Sequence, residues 1–164
     1  MDPAFVIPDE KGVKKVIFSA YDSMLPALIE KINVEAKSMS LTTDMWTSRN
    51  GQNYIGVTCS YIDFKFKLYE VTLTVNYVRY PHTAHHIMES LEETLSEWKL
   101  REKAFTITTD NAANMKKAIL DMQGIEWQGC TAHTLQLVIK KGLVPVKKLI
   151  ARVKRLIEFF MRPK

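Results

Sequence analysis

Three features of this 164-residue sequence predict an α/β fold built on a mixed five-stranded sheet flanked by helices. Three runs rich in β-branched and aromatic residues follow one another between 39 and 77, joined by connections too short for crossovers, so they pair antiparallel. From residue 83 onward helical and strand-like runs alternate, and each helix can carry the chain across the sheet to a parallel strand on a right-handed path. Helical patterns also stand at both ends. With 46% hydrophobic and 25% charged residues, the chain has the balance of one packed domain with short extensions.

Residues 14–21, with Val16, Ile17 and Phe18, predict a short helix. A second is expected from Ser23 as N-cap, with Pro26 in its first turn and Leu25, Leu28, Ile29 and Ile32 at helical spacing. These form a lead-in over 1–37 that packs on the core. Strand one spans 39–44 and ends on Asp44, before a turn at Arg49-Asn50-Gly51. Strand two, 54–62, alternates through Ile55, Val57, Cys59 and Tyr61, and a tight connection at Asp63-Phe64 returns the chain as strand three, 67–77, with a register change early in it. The clearest helix is 83–98, where Ala84, Ile87, Met88, Leu91, Leu95 and Trp98 share one face and Glu89, Glu92, Glu93 and Glu97 the other. Strand four, 104–110, ends on Asp110, and Asn111 is expected to cap a helix carrying Met115, Ile119 and Met122. Gly124 precedes strand five, 125–129. A helix follows Cys130-Thr131-Ala132-His133, Gly142 and Pro145 mark a boundary, and a last helix at 146–160 bears an apolar stripe from Val146 to Phe160.

The net charge of +5 is uneven. Residues 140–164 hold nine Lys and Arg against one acid, Glu158, a net +8, while the other 139 residues carry 14 bases and 17 acids, a net −3. Basicity thus belongs to the C-terminal segment and gives no general argument for an anionic partner. Residues 1–10 lack a signal-peptide pattern, no run is apolar over a membrane's width, and two cysteines make no disulfide framework, so an intracellular setting without membrane insertion is expected.

The candidate chemistry rests on a phrase that occurs twice, Thr42-Thr43-Asp44 and Thr108-Thr109-Asp110. Each copy closes a strand with a carboxylate, which packing explains poorly because charges are seldom buried unpaired. If strands one and four lie side by side, Asp44 and Asp110 come together as a hard oxygen site for Mg²⁺ or Mn²⁺. The plainer alternative is that each acid caps the segment that follows it.

The order of elements, with Leu41-Thr42-Thr43-Asp44-Met45-Trp46-Thr47-Ser48, Thr108-Thr109-Asp110-Asn111-Ala112-Ala113-Asn114-Met115 and Cys130-Thr131-Ala132-His133-Thr134-Leu135-Gln136-Leu137, resembles the catalytic core of hAT-superfamily DNA transposases, including ricesleeper-like proteins with zinc-finger BED domains. His82-Thr83 and Glu97-Trp98 fit as well, and the resemblance covers about residues 38–160. It implies an RNase H-like fold over 38–142, with 143–164 opening a helical insertion. It also implies a catalytic Asp-Asp-Glu triad in which Asp44 and Asp110 are the first two acids and hold Mg²⁺ or Mn²⁺ for DNA cleavage and strand transfer. The third acid lies well downstream in the family and has no match here, so this chain alone is not expected to be active. Glu158 stands at the wrong motif position and is better read as an ion-pair partner of Lys154 or Arg155. A derivative that keeps the fold as a non-catalytic nucleic-acid- or protein-binding module is the alternative function.

DNA (the transposon ends), a homo-oligomer formed through regions outside this chain, and the nucleus follow from the same resemblance. His133 and Trp46 are candidate DNA contacts, with a polar residue near the site and a core aromatic as their plainer roles. Lys147, Lys148, Arg152 and Arg155 are candidate phosphate contacts, with a solvated helix face as theirs. Cys130 and His133 supply half of a zinc pattern with no convincing second pair, so zinc is not expected, and Cys130 is read as a buried packing residue.

Overall fold

The structure, a computed structural model, describes residues 9–161. The reading of residues 1–10 and the end of the C-terminal segment therefore fall partly outside the described residues. The chain runs α1(Glu10–Glu35), β1(Met39–Thr47), β2(Asn53–Ile62), β3(Leu68–Tyr77), α2(Ala84–Glu97), β4(Ala104–Thr109), α3(Ala113–Leu120), β5(Glu126–Gly129), α4(Thr131–Gly142), a 3-10 turn at Val144–Val146, and α5(Lys147–Met161). The five strands lie in the order β3-β2-β1-β4-β5. β1 pairs antiparallel with β2 and β2 with β3, while β4 runs parallel to β1 and β5 parallel to β4. This is the expected five-stranded mixed sheet, and its order and connections are RNase H-like.

One face of the sheet is covered. Leu41, Ile55, Val57, Cys59, Leu73 and Ile107 point into a core with Ile87, Leu91 and Leu95 of α2, Met115, Ala118 and Ile119 of α3, and Ile32 of α1. Thr83 caps α2, its hydroxyl accepting from the His86 N–H, which satisfies one of the orphan amides of the first turn. The other face carries Thr42, Asp44, Trp46, Gly56, Thr58 and Thr108, and among the described residues no helix lies across it as α2 and α3 lie across the first.

Four local expectations are corrected. The N-terminal helices are one 26-residue helix, capped by the Asp9 carboxylate on the Gly12 N–H, and Ser23 sits inside it with its hydroxyl donating to the Ala20 carbonyl. Pro26 stands inside the helix, and the carbonyl it leaves without an intrahelical donor belongs to the exposed residue Asp22. Among the described residues of this lead-in, the apolar side chains that meet the core are Leu25, Leu28, Ile29, Ile32 and Ala36; Val16, Ile17, Phe18 and Tyr21 are exposed. Asp44 lies within β1, not at its end, because the strand continues through Trp46 and Thr47 against Tyr54 and Asn53. The irregularity of β3 falls at mid-strand: Val57 pairs with Thr74 and Thr58 with Thr72, leaving Leu73 as the extra residue. Asn111 does not cap α3. The N-cap position is Ala112, and the Asn111 amide donates instead to the Thr134 hydroxyl of α4, 3.1 Å away.

No residue of α4 or α5 is buried, and the apolar stripe of α5 is exposed through Leu149, Val153, Leu156, Ile157 and Phe160. Glu158 forms no ion pair among the described residues, so the pairing expected with Lys154 or Arg155 is not made on this exposed helix. No described helix is long and apolar enough to cross a membrane.

Candidate active site

The repeated Thr-Thr-Asp phrase acquires a geometric meaning in the sheet. β1 and β4 are parallel neighbours, and Thr42 is aligned with Thr108. Strand side chains alternate, so in both copies the first Thr faces the open side, the second is buried (Thr43 and Thr109), and the Asp faces the open side again. Asp44 and Asp110 each follow that aligned pair by two residues, Asp44 within β1 and Asp110 just past the end of β4. Both line one open cleft of about 820 Å³, together with Trp46, Val75, Cys130 and His133.

Each acid is held by local backbone. The Met45 N–H donates to Asp44 Oδ1 at 2.9 Å, and the Ala112 N–H to Asp110 Oδ1 at 3.1 Å. The segment around Asp110 is tied further: the Trp127 indole donates to the Thr109 hydroxyl at 3.0 Å, that hydroxyl donates to the Asp110 carbonyl, and the Cys130 N–H donates to the Thr109 carbonyl at 2.7 Å. The start of α4 is thereby fixed to the end of β4, which brings His133 to the rim. Gly129 allows this approach, because a Cβ there would come within 3.0 Å of Asn111 Oδ1 and 3.2 Å of the Trp127 ring.

Neither carboxylate forms an ion pair among the described residues. Two acidic side chains on one cleft without a neutralising cation, over a floor of threonine hydroxyls, form a donor set of hard oxygens that fits Mg²⁺ or Mn²⁺ in chemistry. The set is short in number: among the described residues no three His, Cys, Asp or Glu side chains are grouped so as to hold a metal.

The structure brings Asp44, Asp110, Trp46 and His133 to the same cleft. Lys147, Lys148, Arg152 and Arg155 are exposed on α5 and do not line it. Trp46 is 43% exposed and not a core aromatic; its ring edge lies over Gly56, where a Cβ would approach to 3.1 Å. Cys130 is half-buried at the cleft and not packed in the interior as expected, because it sits at the loop between β5 and α4. Sequence reasoning passed over Gly56, Thr58, Thr72 and Val75. A glycine inside a strand pattern marks close approach of another group, and that signal was present at Gly56.

A mixed sheet in the order β3-β2-β1-β4-β5, with α2 and α3 on one face and an open cleft on the other, defines an RNase H-like domain. The chain belongs to the ZBED1 RNase-like domain family, which it matches over residues 42–129, and it is a transposase-derived domain of the hAT type. It is similar to the zinc finger BED domain-containing protein RICESLEEPER 2 of Oryza sativa subsp. japonica, 23% identical over 97% of this chain and 24% of that protein. It is similar to an AC transposase of Zea mays, 25% identical over 94% of this chain and 21% of that protein. A transcriptional regulator, tpeD, of Talaromyces stipitatus is 27% identical over 84% of this chain and 18% of its own length. The chain thus spans about a quarter or less of the relatives it matches.

Proposed function

We propose that this domain supplies the Asp44–Asp110 half of the catalytic core of a hAT-type DNA transposase. The observation that carries this reading is the pair of carboxylates on one cleft, each two residues beyond the aligned Thr42–Thr108 pair, each oriented by a backbone N–H and neither in an ion pair among the described residues. Asp44 and Asp110 would hold Mg²⁺ or Mn²⁺, which when bound activates the attacking oxygen and steadies the leaving one in phosphodiester cleavage and strand transfer. The protein's own contribution is position: β1 and β4 set the two acids side by side, and Asp110 is braced through Thr109, Trp127 and Cys130. His133 stands at the rim where it can donate to a phosphate oxygen. The third carboxylate of the triad comes from a segment outside these residues, and DNA as substrate gives the whole protein its work in the nucleus.

A second reading is a non-catalytic module that keeps the fold. It is favoured by the shortage of grouped metal-binding side chains among the described residues and by the relative named as a transcriptional regulator.

Calorimetric titration of Mn²⁺ into the chain separates the two. The catalytic reading expects binding that is lost in both Asp44→Asn and Asp110→Asn while the fold is retained. Absence of binding to the folded wild-type chain sinks it and leaves the binding module.

A further inference from the structure

Three aromatic side chains stand in a row across the open face, next to the carboxylate cleft. Trp46 of β1 is paired in register with Tyr54 of β2, and Tyr54 with Tyr77 of β3. The Trp46 and Tyr54 rings are stacked with centroids 6.1 Å apart and planes at 24°, and Tyr77 meets Tyr54 edge-on at 6.3 Å. The row exists because of the bulge at Leu73. Before it, Tyr69 and Val71 face the covered side; after it the parity of β3 is reversed, and Val75 and Tyr77 turn outward, 54% and 56% exposed. Gly56 lets the Trp46 ring lie close against β2, where a Cβ would meet it at 3.1 Å.

We propose that Trp46, Tyr54 and Tyr77 form a stacking platform for unpaired bases of single-stranded DNA, on the strand that leads out of the Asp44–Asp110 cleft. The inference rests on the reading of that cleft as a DNA site and assigns the ligand beside it. Cross-strand packing accounts for the contacts among the rings, while among the described residues no helix covers them, and every base has a π-face that such rings can take without regard to sequence. Trp46 and Val75 line the cleft itself, so the platform and the acids share one continuous surface. The turn beyond the Trp46–Tyr54 pair, closed by the Ser48 N–H on the Gln52 carbonyl and by Gly51 at φ 76°, carries Arg49, exposed and without an ion pair among the described residues. A cation at the outer end suits a phosphate backbone, and a duplex could not place bases flat on the rings without opening. The platform therefore selects a frayed or cut end over intact duplex.

The test is fluorescence anisotropy of a labelled twelve-residue oligothymidylate with the full chain in EDTA, so that binding does not depend on a metal at the acids. Tyr54→Leu and Tyr77→Leu are each expected to weaken binding about tenfold, and Trp46→Leu at least as much. An abasic oligonucleotide of the same length and a duplex are expected to bind weakly and to ignore these substitutions. Unchanged oligothymidylate binding in Tyr77→Leu, with native circular dichroism, overturns the platform. So does an equal loss on the abasic strand, which would place the affinity in phosphate contacts. The two proposals fail separately: Mn²⁺ binding that persists in Tyr77→Leu beside unchanged DNA binding sinks only the platform. Ring-dependent DNA binding in a chain that takes no Mn²⁺ sinks only the catalytic reading.

Discussion

The two faces of the sheet are written on the same strands and have opposite characters. On β4, Ile107 is fully buried between Leu41 and Trp127, while the next residue, Thr108, faces the open cleft. On β1, Leu41 and Thr43 are buried and Thr42, Asp44 and Trp46 are exposed. A period of two thus divides stability from chemistry with no separate element for either. The covered face is apolar and dry because α2 and α3 close it. The open face can carry threonines, two carboxylates and a glycine because it is not needed as core.

Substitution at adjacent residues of β4 tests this division most strongly. Ile107→Ala is expected to cost about 2–5 kcal/mol in chemical denaturation, from lost burial plus the cavity left in a closed core. Thr108→Ala is expected to stay within about 0.5 kcal/mol. Comparable losses at the two sites would show that the open face also bears fold energy and would break the comparison.

The cysteines divide the same way. Cys59 is fully buried opposite Leu41, and burial pushes its thiol up to about 11. Cys130 is half-buried at the cleft. A thiol reagent at pH 8 is expected to modify Cys130 in the native chain and Cys59 only on unfolding. The sign of the pH effect follows from the raised value. The folded state favours the protonated thiol, so this contribution is complete below the ordinary value of 9.0 and is lost as pH climbs toward 11. The stability gap between wild type and Cys59→Ala should accordingly narrow across that interval in denaturation curves. A gap independent of pH would mean that Cys59 is not held dry.

Legibility followed the same line. Strand number and the antiparallel and parallel pairing could be read because period-two patterns and short connections are local. The bulge lies at Leu73 and not early in β3, because nothing in Val71-Thr72-Leu73-Thr74 distinguishes an extra residue from ordinary alternation. The break expected at Ser23 failed because a cap residue and a mid-helix serine look alike when Pro26 follows. Asn111 was assigned to the nearest helix start, whereas its partner, Thr134, is 23 residues away. The Thr-Thr-Asp echo was visible as a string, but its in-register alignment belongs to the β1–β4 pair.

Gly56→Ala sharpens the comparison at the smallest scale. The residue sits opposite Asp44 in the register, on the open face. An added Cβ would meet the Trp46 ring at 3.1 and 3.3 Å, closer than ordinary van der Waals contact, so the indole must give by a few tenths of an ångström. With Trp46 at a solvent-facing position, it can do so without disturbing the core. Loss of glycine's unfolded-state freedom contributes about 0.4–1 kcal/mol in the other direction. The two effects offset, and stability should change by less than about 0.5 kcal/mol. The Trp46 indole N–H resonance is expected to shift while those of Trp98 and Trp127 stay in place. A loss of stability as large as that of Ile107→Ala would show that Trp46 and Gly56 belong to the packed structure and not to a surface left free for a ligand.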